Sequence, residues 1–330
     1  MVEKKIAVLG GGSWATALVK VFLENVEEVC WYMRDGEKIK HILKHQRNPY
    51  YLSSLELNTE RLHLSDDINK IVEKCDILLL AIPSYFLKDA LGKIKSDISG
   101  KIIVSAVKGV IPDDNLIIGE YFNKKFNVPY ESFVVLSGPS HAEEVALERL
   151  SYITVACPDE KLAMEIGTFI DCHYIIPVIS DDIFGTEYAA VLKNIMAVAA
   201  GICHGLGYGD NFQAVLISNA IQEIKRFVDT VHPISRDIKS SAYLGDLLVT
   251  AYSQFSRNRT FGTMIGKGYS VKSTQLEMKM VAEGYYATKC VVETNKKHKV
   301  NMPITDAVFR ILYENLAPMI EIQLLTKQLK

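Results

Sequence analysis

The sequence has no surplus of either charge: 37 lysines and arginines stand against 39 acidic residues, a formal net charge of −2 over 330 residues. Without an overall positive field the chain has little to attract nucleic acid or anionic lipid, and a small molecule is the expected partner. The six cysteines, at 30, 75, 157, 172, 203 and 290, include no C-x-x-C pair. That speaks against a disulfide framework or zinc site and fits reduced thiols in the cytoplasm. His41 and His45 have helical spacing but lack the acidic partner of an H-E-x-x-H zinc helix, so no metal is expected. Long apolar runs are missing as well. Ile6 to Leu9 runs straight into glycines, too short for a signal peptide, and the runs at 77–83 and 195–203 fall far short of the ~20 residues that cross a bilayer. No membrane span is therefore expected. Internal repeats and biased tracts are also missing.

What is present is a core-forming composition, 48% hydrophobic against 23% charged, in a chain long enough for two domains. The first half alternates β-rich runs with helical stretches: KIAVLG, EVCWYM, DILLLAIP, KIIVSAVKG, SFVVLSGPS and SYITVAC. Several are apolar on both faces, as strands between two helical layers must be, so the expected fold is α/β with a doubly wound parallel sheet. Gly10-Gly11-Gly12, Pro83-Ser84, Lys108-Gly109 and Gly138-Pro139-Ser140 each follow such a run. In open α/β sheets the ligand crevice lies outside the carboxyl ends of the strands, where these loops fall. After Ile179-Ser180 long helical patterns take over, at 188–201 and 211–230. The reading is residues 1–180 for the sheet domain and 181–330 for an all-α domain, with Asp181 or Asp182 as the N-cap of the first helix.

Residues 6–15, IAVLGGGSWA, put a strand before Gly10-x-Gly12-x-x-Ala15 and a helical pattern after it. Strand, glycine loop and helix together form the dinucleotide fingerprint of a Rossmann-like domain: Gly10 makes the turn and Gly12 lets the backbone approach a pyrophosphate. The phosphates then sit at the helix N-terminus, near the amides of Ser13 and Trp14. About 20 residues on stand Met33-Arg34-Asp35. Asp35 suits a ribose hydroxyl, and Arg34 suits adenine, a 2′-phosphate or plain solvent, so both NAD and NADP are allowed.

In the second half, Lys193-Asn194 lies on a helical pattern whose neighbours Ala189, Ala197 and Gly201 form a stripe of small residues. A lysine set among them is a candidate proton donor held by a carboxylate, or else a lysine snorkelling from a helix end. Gly245-Asp246-Leu247 with Thr250 supplies a carboxylate, and Ser256-Arg257-Asn258-Arg259 supplies a guanidinium fork with amide donors. Such a run is either a phosphate anchor or a solvated turn.

In order and spacing, GGGSWATAL (10–18), AIPS (81–84), KG (108–109), SGPSHAEEVA (137–146), GTEYAAVLKNIMAVAAGICHGLGYGDN (185–211), LGDLLVT (244–250), SRNRTFG (256–262), EG (283–284) and MPIT (302–305) resemble the bacterial NAD(P)-dependent glycerol-3-phosphate dehydrogenases over nearly the whole chain. The resemblance implies reversible hydride transfer between the nicotinamide and C2 of sn-glycerol 3-phosphate, giving dihydroxyacetone phosphate. It implies cofactor contacts at Ser13, Trp14, Arg34, Lys108, Ala142, Arg257, Val281 and Glu283. Substrate contacts fall at Lys108, Gly138, Ser140, Lys193, Asn194, Asp246, Thr250, Ser256, Arg257 and Asn258, with Lys193 as the acid/base and Asp246 and Lys108 beside it. Ala15, His141, Asn219 and Tyr243 depart from the family pattern, and none removes a catalytic group. His141 either bonds a ligand or packs at the core edge. A non-catalytic dinucleotide sensor and a sister reductase of a non-phosphorylated substrate are the alternatives. A homodimer is compatible with the sequence.

Overall fold

A computed structural model describes residues 4–278 and 281–330. The strands are β1 (Ile6–Leu9), β2 (Val29–Tyr32), β3 (Leu62–Ser65), β4 (Ile77–Leu80), β5 (Ile102–Ser105), β6 (Val110–Ile111), β7 (Leu116–Ile117), β8 (Phe133–Ser137), β9 (Ser151–Ala156) and β10 (Ile175–Ser180). Eight form one sheet in the order β10-β9-β8-β5-β4-β1-β2-β3. The six from β3 to β8 are parallel, as expected of a doubly wound fold. The sheet as a whole is mixed, because β9 pairs with β8 antiparallel and β10 follows β9. The link between β8 and β9 explains the reversal. Its one helix, Ala142–Ala146, has five residues, about 7.5 Å of rise, too short to carry the chain back along the sheet for a parallel crossover.

All six strand runs read from the sequence lie in this sheet. β3 and β10, the two edges, escape that reading because edges lack two-sided burial. β3 is buried only at Leu62, with His63 exposed. β10 carries Pro177, which cannot donate to a ladder and is tolerated at an edge.

The chain divides into two compact units, one running through Val107 and resuming at Ile118–Ile183, the other made of Lys108–Ile117 and Phe184–Lys330. The second unit is helical but not wholly so, since it takes in the β6–β7 hairpin. Val110 and Ile117 of that hairpin are buried in the helical core with Leu192, Ile195 and Phe227.

The helix Ile183–Gly205 is 23 residues long and contains an 18-residue stretch apolar enough, at a mean hydropathy of 1.2, to span a bilayer by length and composition, yet 89% of that stretch is buried inside the protein. It is the core helix of its unit. The next helix is Asp210–Val231, so both helical patterns are longer than their apolar periodicity indicated. The small-residue stripe is explained by a neighbour. A Cβ on Gly201 would fall 2.1 Å from the Arg259 carbonyl oxygen, and one on Gly262 would fall 2.1 Å from that of Val198. Gly205 and Gly266 repeat the close approach one turn on. Paired glycines four apart thus press the core helix against the helix Arg257–Gly266, backbone to backbone.

Candidate active site

In the first unit, the turn after β1 is strained at Gly10, whose φ is +135° and where a Cβ would lie 2.5 Å from the Ala81 carbonyl oxygen. No other residue fits there. The loop is held from several sides. The indole nitrogen of buried Trp31 donates to the Gly10 carbonyl at 2.6 Å. Thr16 donates to the Gly12 carbonyl at 2.9 Å, and fully buried Asn48 donates to the Thr16 hydroxyl at 2.9 Å. Sequence reading missed Trp31 and Asn48, because their contacts cross 21 and 32 residues of chain.

Gly12 is the N-cap of the helix Ser13–Asn25 and supplies no side-chain cap; the first turn holds no acidic residue. Around Gly12 a Cβ would meet nothing within 4 Å. Open space before uncapped amides, at the positive end of a helix, suits the pyrophosphate of a dinucleotide. The indole nitrogen of Trp14 is shielded from solvent without a protein acceptor, a second feature that fits a bound group. Arg34 follows β2 with its guanidinium 5.7 Å from the Phe86 ring centre. Asp35, considered above for the ribose, caps the helix Gly36–His45 and accepts from the amides of Glu37 and Lys38. Gly138, at φ +120°, lies against Tyr152, where a Cβ would come within 2.8 Å of the carbonyl oxygen. The Ser140 hydroxyl donates to the Gly138 carbonyl at 3.1 Å, and Ala142 opens the short helix behind His141.

In the second unit three charged groups meet. Lys193 is 4% exposed and Asp246 1%. The Lys193 ammonium pairs with Asp246 Oδ1, while Lys108 Nζ lies 3.2 Å from Oδ2. Burial pulls the Lys193 pKa down, Asp246 holds it up, and Lys108 lowers it again, leaving it at about 7. For Asp246, burial pushes upward, but the two lysine cations outweigh it and keep the carboxyl below its ordinary value.

A chain of amide bonds supports the cluster. Asn194 donates to the Lys108 carbonyl at 2.8 Å, Asn258 donates to Asn194 Oδ1 at 2.8 Å, and the Gly284 amide donates to Asn258 Oδ1 at 2.9 Å. The hairpin, the core helix, the helix Arg257–Gly266 and the helix Glu283–His298 are thereby locked together. Thr250 donates to the Asp246 carbonyl, and Ser256 caps its helix by accepting from the Arg259 amide. The Arg257 guanidinium is exposed and reaches the Val281 carbonyl at 3.3 Å, two residues before Glu283. Of the residues singled out in the sequence, Lys108, Lys193, Asn194, Asp246 and Asn258 are thus directly linked. Asn219 bonds the backbone of Lys330 with both ends of its amide, which ties down the last residue.

Comparison with known proteins places the whole chain in one family. Residues 5–163 match the family described as the NAD-dependent glycerol-3-phosphate dehydrogenase N-terminus, and residues 182–323 match the corresponding C-terminus. The glycerol-3-phosphate dehydrogenase (NAD(P)+) of Bacillus subtilis is 36% identical over 314 residues, 94% of this chain and 90% of that protein. The enzyme of the same name from Clostridium botulinum is 35% identical over 320 residues, 97% of this chain and 96% of its own. A solved glycerol-3-phosphate dehydrogenase from Coxiella burnetii superimposes with a TM-score of 0.89 at 28% identity, covering 98% of this chain and 99% of that one. With both halves matched and relatives aligned along nearly their full lengths, the chain belongs to the NAD-dependent glycerol-3-phosphate dehydrogenase family.

Proposed function

We propose that the protein catalyses the reversible reduction of dihydroxyacetone phosphate to sn-glycerol 3-phosphate with NADH or NADPH, a product that serves as the backbone of glycerophospholipids. The observation that carries the proposal is the buried cluster of Lys193, Asp246 and Lys108. When bound, the dihydronicotinamide supplies the hydride. Reduction of a ketone also needs a proton at the oxygen, and Lys193 donates it as an ammonium; in the reverse direction its neutral amine accepts the hydroxyl proton. A pKa near neutrality suits both tasks. Asp246 positions Lys193 and keeps enough of it charged, while Lys108 adds a cation that favours a developing alkoxide.

Arg257, with Ser256 and Asn258 at the same helix start, is the anchor for the substrate phosphate. Gly138, Ser140, Asn194 and Thr250 are the remaining substrate positions. Gly10, Gly12, Ser13, Trp14, Arg34, Lys108, Ala142, Arg257, Val281 and Glu283 are the cofactor positions. The Lys193–Asp246 pairing argues against a non-catalytic sensor, which has no use for a buried, tuned ammonium. A cytoplasmic location accords with six free cysteines, and a homodimer is the assembly to look for by light scattering.

The test is oxidation of NADH or NADPH by the purified chain on addition of dihydroxyacetone phosphate. Turnover with the phosphate and negligible turnover with dihydroxyacetone are expected. Equal turnover with both would transfer the assignment to a reductase of non-phosphorylated substrates.

A further inference from the structure

Each of the three glycine-loop carbonyls is met by a side-chain donor from behind the loop. Trp31 Nε1 donates to Gly10 at 2.6 Å, and the Thr16 hydroxyl donates to Gly12 at 2.9 Å. The Gly11 carbonyl takes two longer contacts, from Asn48 Nδ2 and Lys38 Nζ, both at 3.4 Å. Asn48 is the hub: the same amide nitrogen donates to the Thr16 hydroxyl at 2.9 Å, and its Oδ1 accepts from the Tyr50 amide at 3.2 Å. Thr16 thus accepts from Asn48 and gives its own proton to Gly12. Thr16, Trp31 and Asn48 are fully buried. The peptides of the loop are trans, so each N–H points opposite to the carbonyl before it. Tying the carbonyls of residues 10–12 behind the loop therefore turns the amides of Gly11, Gly12 and Ser13 to its other side. Those amides, and that of Trp14, have no acceptor among the described residues. Glycines alone would not impose this order, since their wide φ/ψ range lets a peptide turn over and aim its negative carbonyl end at the phosphates. Here a turned peptide would strand a buried donor, and that cost opposes the flip.

We infer that Asn48 and Trp31 are positioning residues for the reaction: acting through Thr16 and the loop carbonyls, they preset the amides of residues 11–13 as a cradle for the cofactor diphosphate. The inference rests on the proposed function, in which the glycine loop is the dinucleotide site. It concerns the diphosphate, which NADH and NADPH share, and holds whichever of them is used. Fixed amides need no reordering when the anion arrives, so less of the binding energy is lost on the loop. A competing role for Asn48 is purely structural, pinning the segment after the helix Gly36–His45 through its bond to Tyr50. Loss of such a pin would lower stability without singling out the phosphates.

ADP and adenosine differ by the diphosphate, and their binding to the full chain separates these roles without using turnover. The chain has two tryptophans, Trp14 and Trp31, both at this loop, so their fluorescence reads binding there, with calorimetry serving for Trp31 variants. The parent is expected to bind ADP at least about tenfold more tightly than adenosine. Asn48→Ala and Trp31→Phe should each lower that ratio about tenfold, the scale of one lost hydrogen bond to a buried group, with adenosine affinity nearly unchanged. Should Asn48→Ala fail to fold, Thr16→Val breaks the same relay and should lower the ratio likewise, while Thr16→Ser keeps the hydroxyl and should retain it. KM for NADH and NADPH should rise by the same factor with kcat nearly unchanged, as for lost uniform binding. An unchanged ratio in the folded variants, or equal weakening of ADP and adenosine, would leave only the structural role and overturn the inference. A parent that binds adenosine as tightly as ADP would overturn it as well, by placing the phosphates elsewhere. The expected change of ratio in a chain that does not turn over dihydroxyacetone phosphate would uphold the cradle and count against the proposed reaction instead.

Discussion

The Lys193 ammonium and the Asp246 carboxylate, 53 positions apart in the chain, form an ion pair almost entirely removed from water. Removing two charges from water costs several kcal/mol per ion before their attraction is counted, so such a pair is weak evidence for a stabilising role. Here its cost accompanies a lysine whose proton is lost near neutral pH. That property is what an acid/base group needs.

The pH dependence follows from the sign of the shift. A lysine is protonated below its pKa, so with a value of about 7 ketone reduction should fall as pH rises through neutrality, while alcohol oxidation should rise over the same range. Initial rates in both directions from pH 5.5 to 9 check this. Lys193→Met should lower kcat by about a hundredfold or more in either direction and remove the neutral limb, with dinucleotide affinity nearly intact. A folded Lys193→Met protein with ordinary turnover would remove Lys193 from the mechanism.

Arg257 is exposed and held at one end by a backbone carbonyl, which leaves most of its donors to a ligand. Arg257→Ala should raise KM for dihydroxyacetone phosphate well over tenfold, corresponding to about 2 to 4 kcal/mol for a partly desolvated charged contact. Arg257→Lys should recover only part, for want of the bidentate fork. The weak rate with unphosphorylated dihydroxyacetone should change little, and a comparable fall there would show that Arg257 acts on something other than the phosphate.

Gly12 separates folding from binding. Its φ is −89° and a Cβ would meet nothing within 4 Å, so Gly12→Ala should alter stability by no more than about 0.5 kcal/mol in thermal or urea unfolding. The added methyl would occupy the space proposed for the pyrophosphate, and dinucleotide affinity should fall at least about tenfold. Unchanged affinity would place the phosphates elsewhere.

Gly262 makes the opposite case. A Cβ there would fall 2.1 Å from a carbonyl oxygen of the core helix, and the two helices must separate to admit it. Gly262→Ala should therefore destabilise the protein by about 1 to 3 kcal/mol or more. It should also depress kcat, because separation lengthens the 2.8 Å bond between Asn194 and Asn258. Gly100→Ala, with nothing within 4 Å, is the control and should leave stability near the parent value.

Much of this protein follows from the sequence alone, where function depends on short stretches of chain. Strand, glycine loop and helix are contiguous at residues 6–25, so the dinucleotide fingerprint is local, and two-sided apolar runs mark the six interior strands because burial on both faces demands them. Lys193, Asp246, Arg257 and Asn258 stand out by residue type and company. Tertiary structure decided everything that depends on distant segments meeting. It brought Lys38 back to the glycine loop, its Nζ 3.4 Å from the Gly11 carbonyl oxygen. The β6–β7 hairpin joins the helical unit, and with it Lys108 comes to Asp246. Glycines 61 residues apart, Gly201 and Gly262, let two backbones touch, which sets Asn258 against Asn194. The reason is physical: propensity and periodicity act over a few residues, whereas the energy of a buried ion pair or a close helix crossing exists only once both partners have arrived.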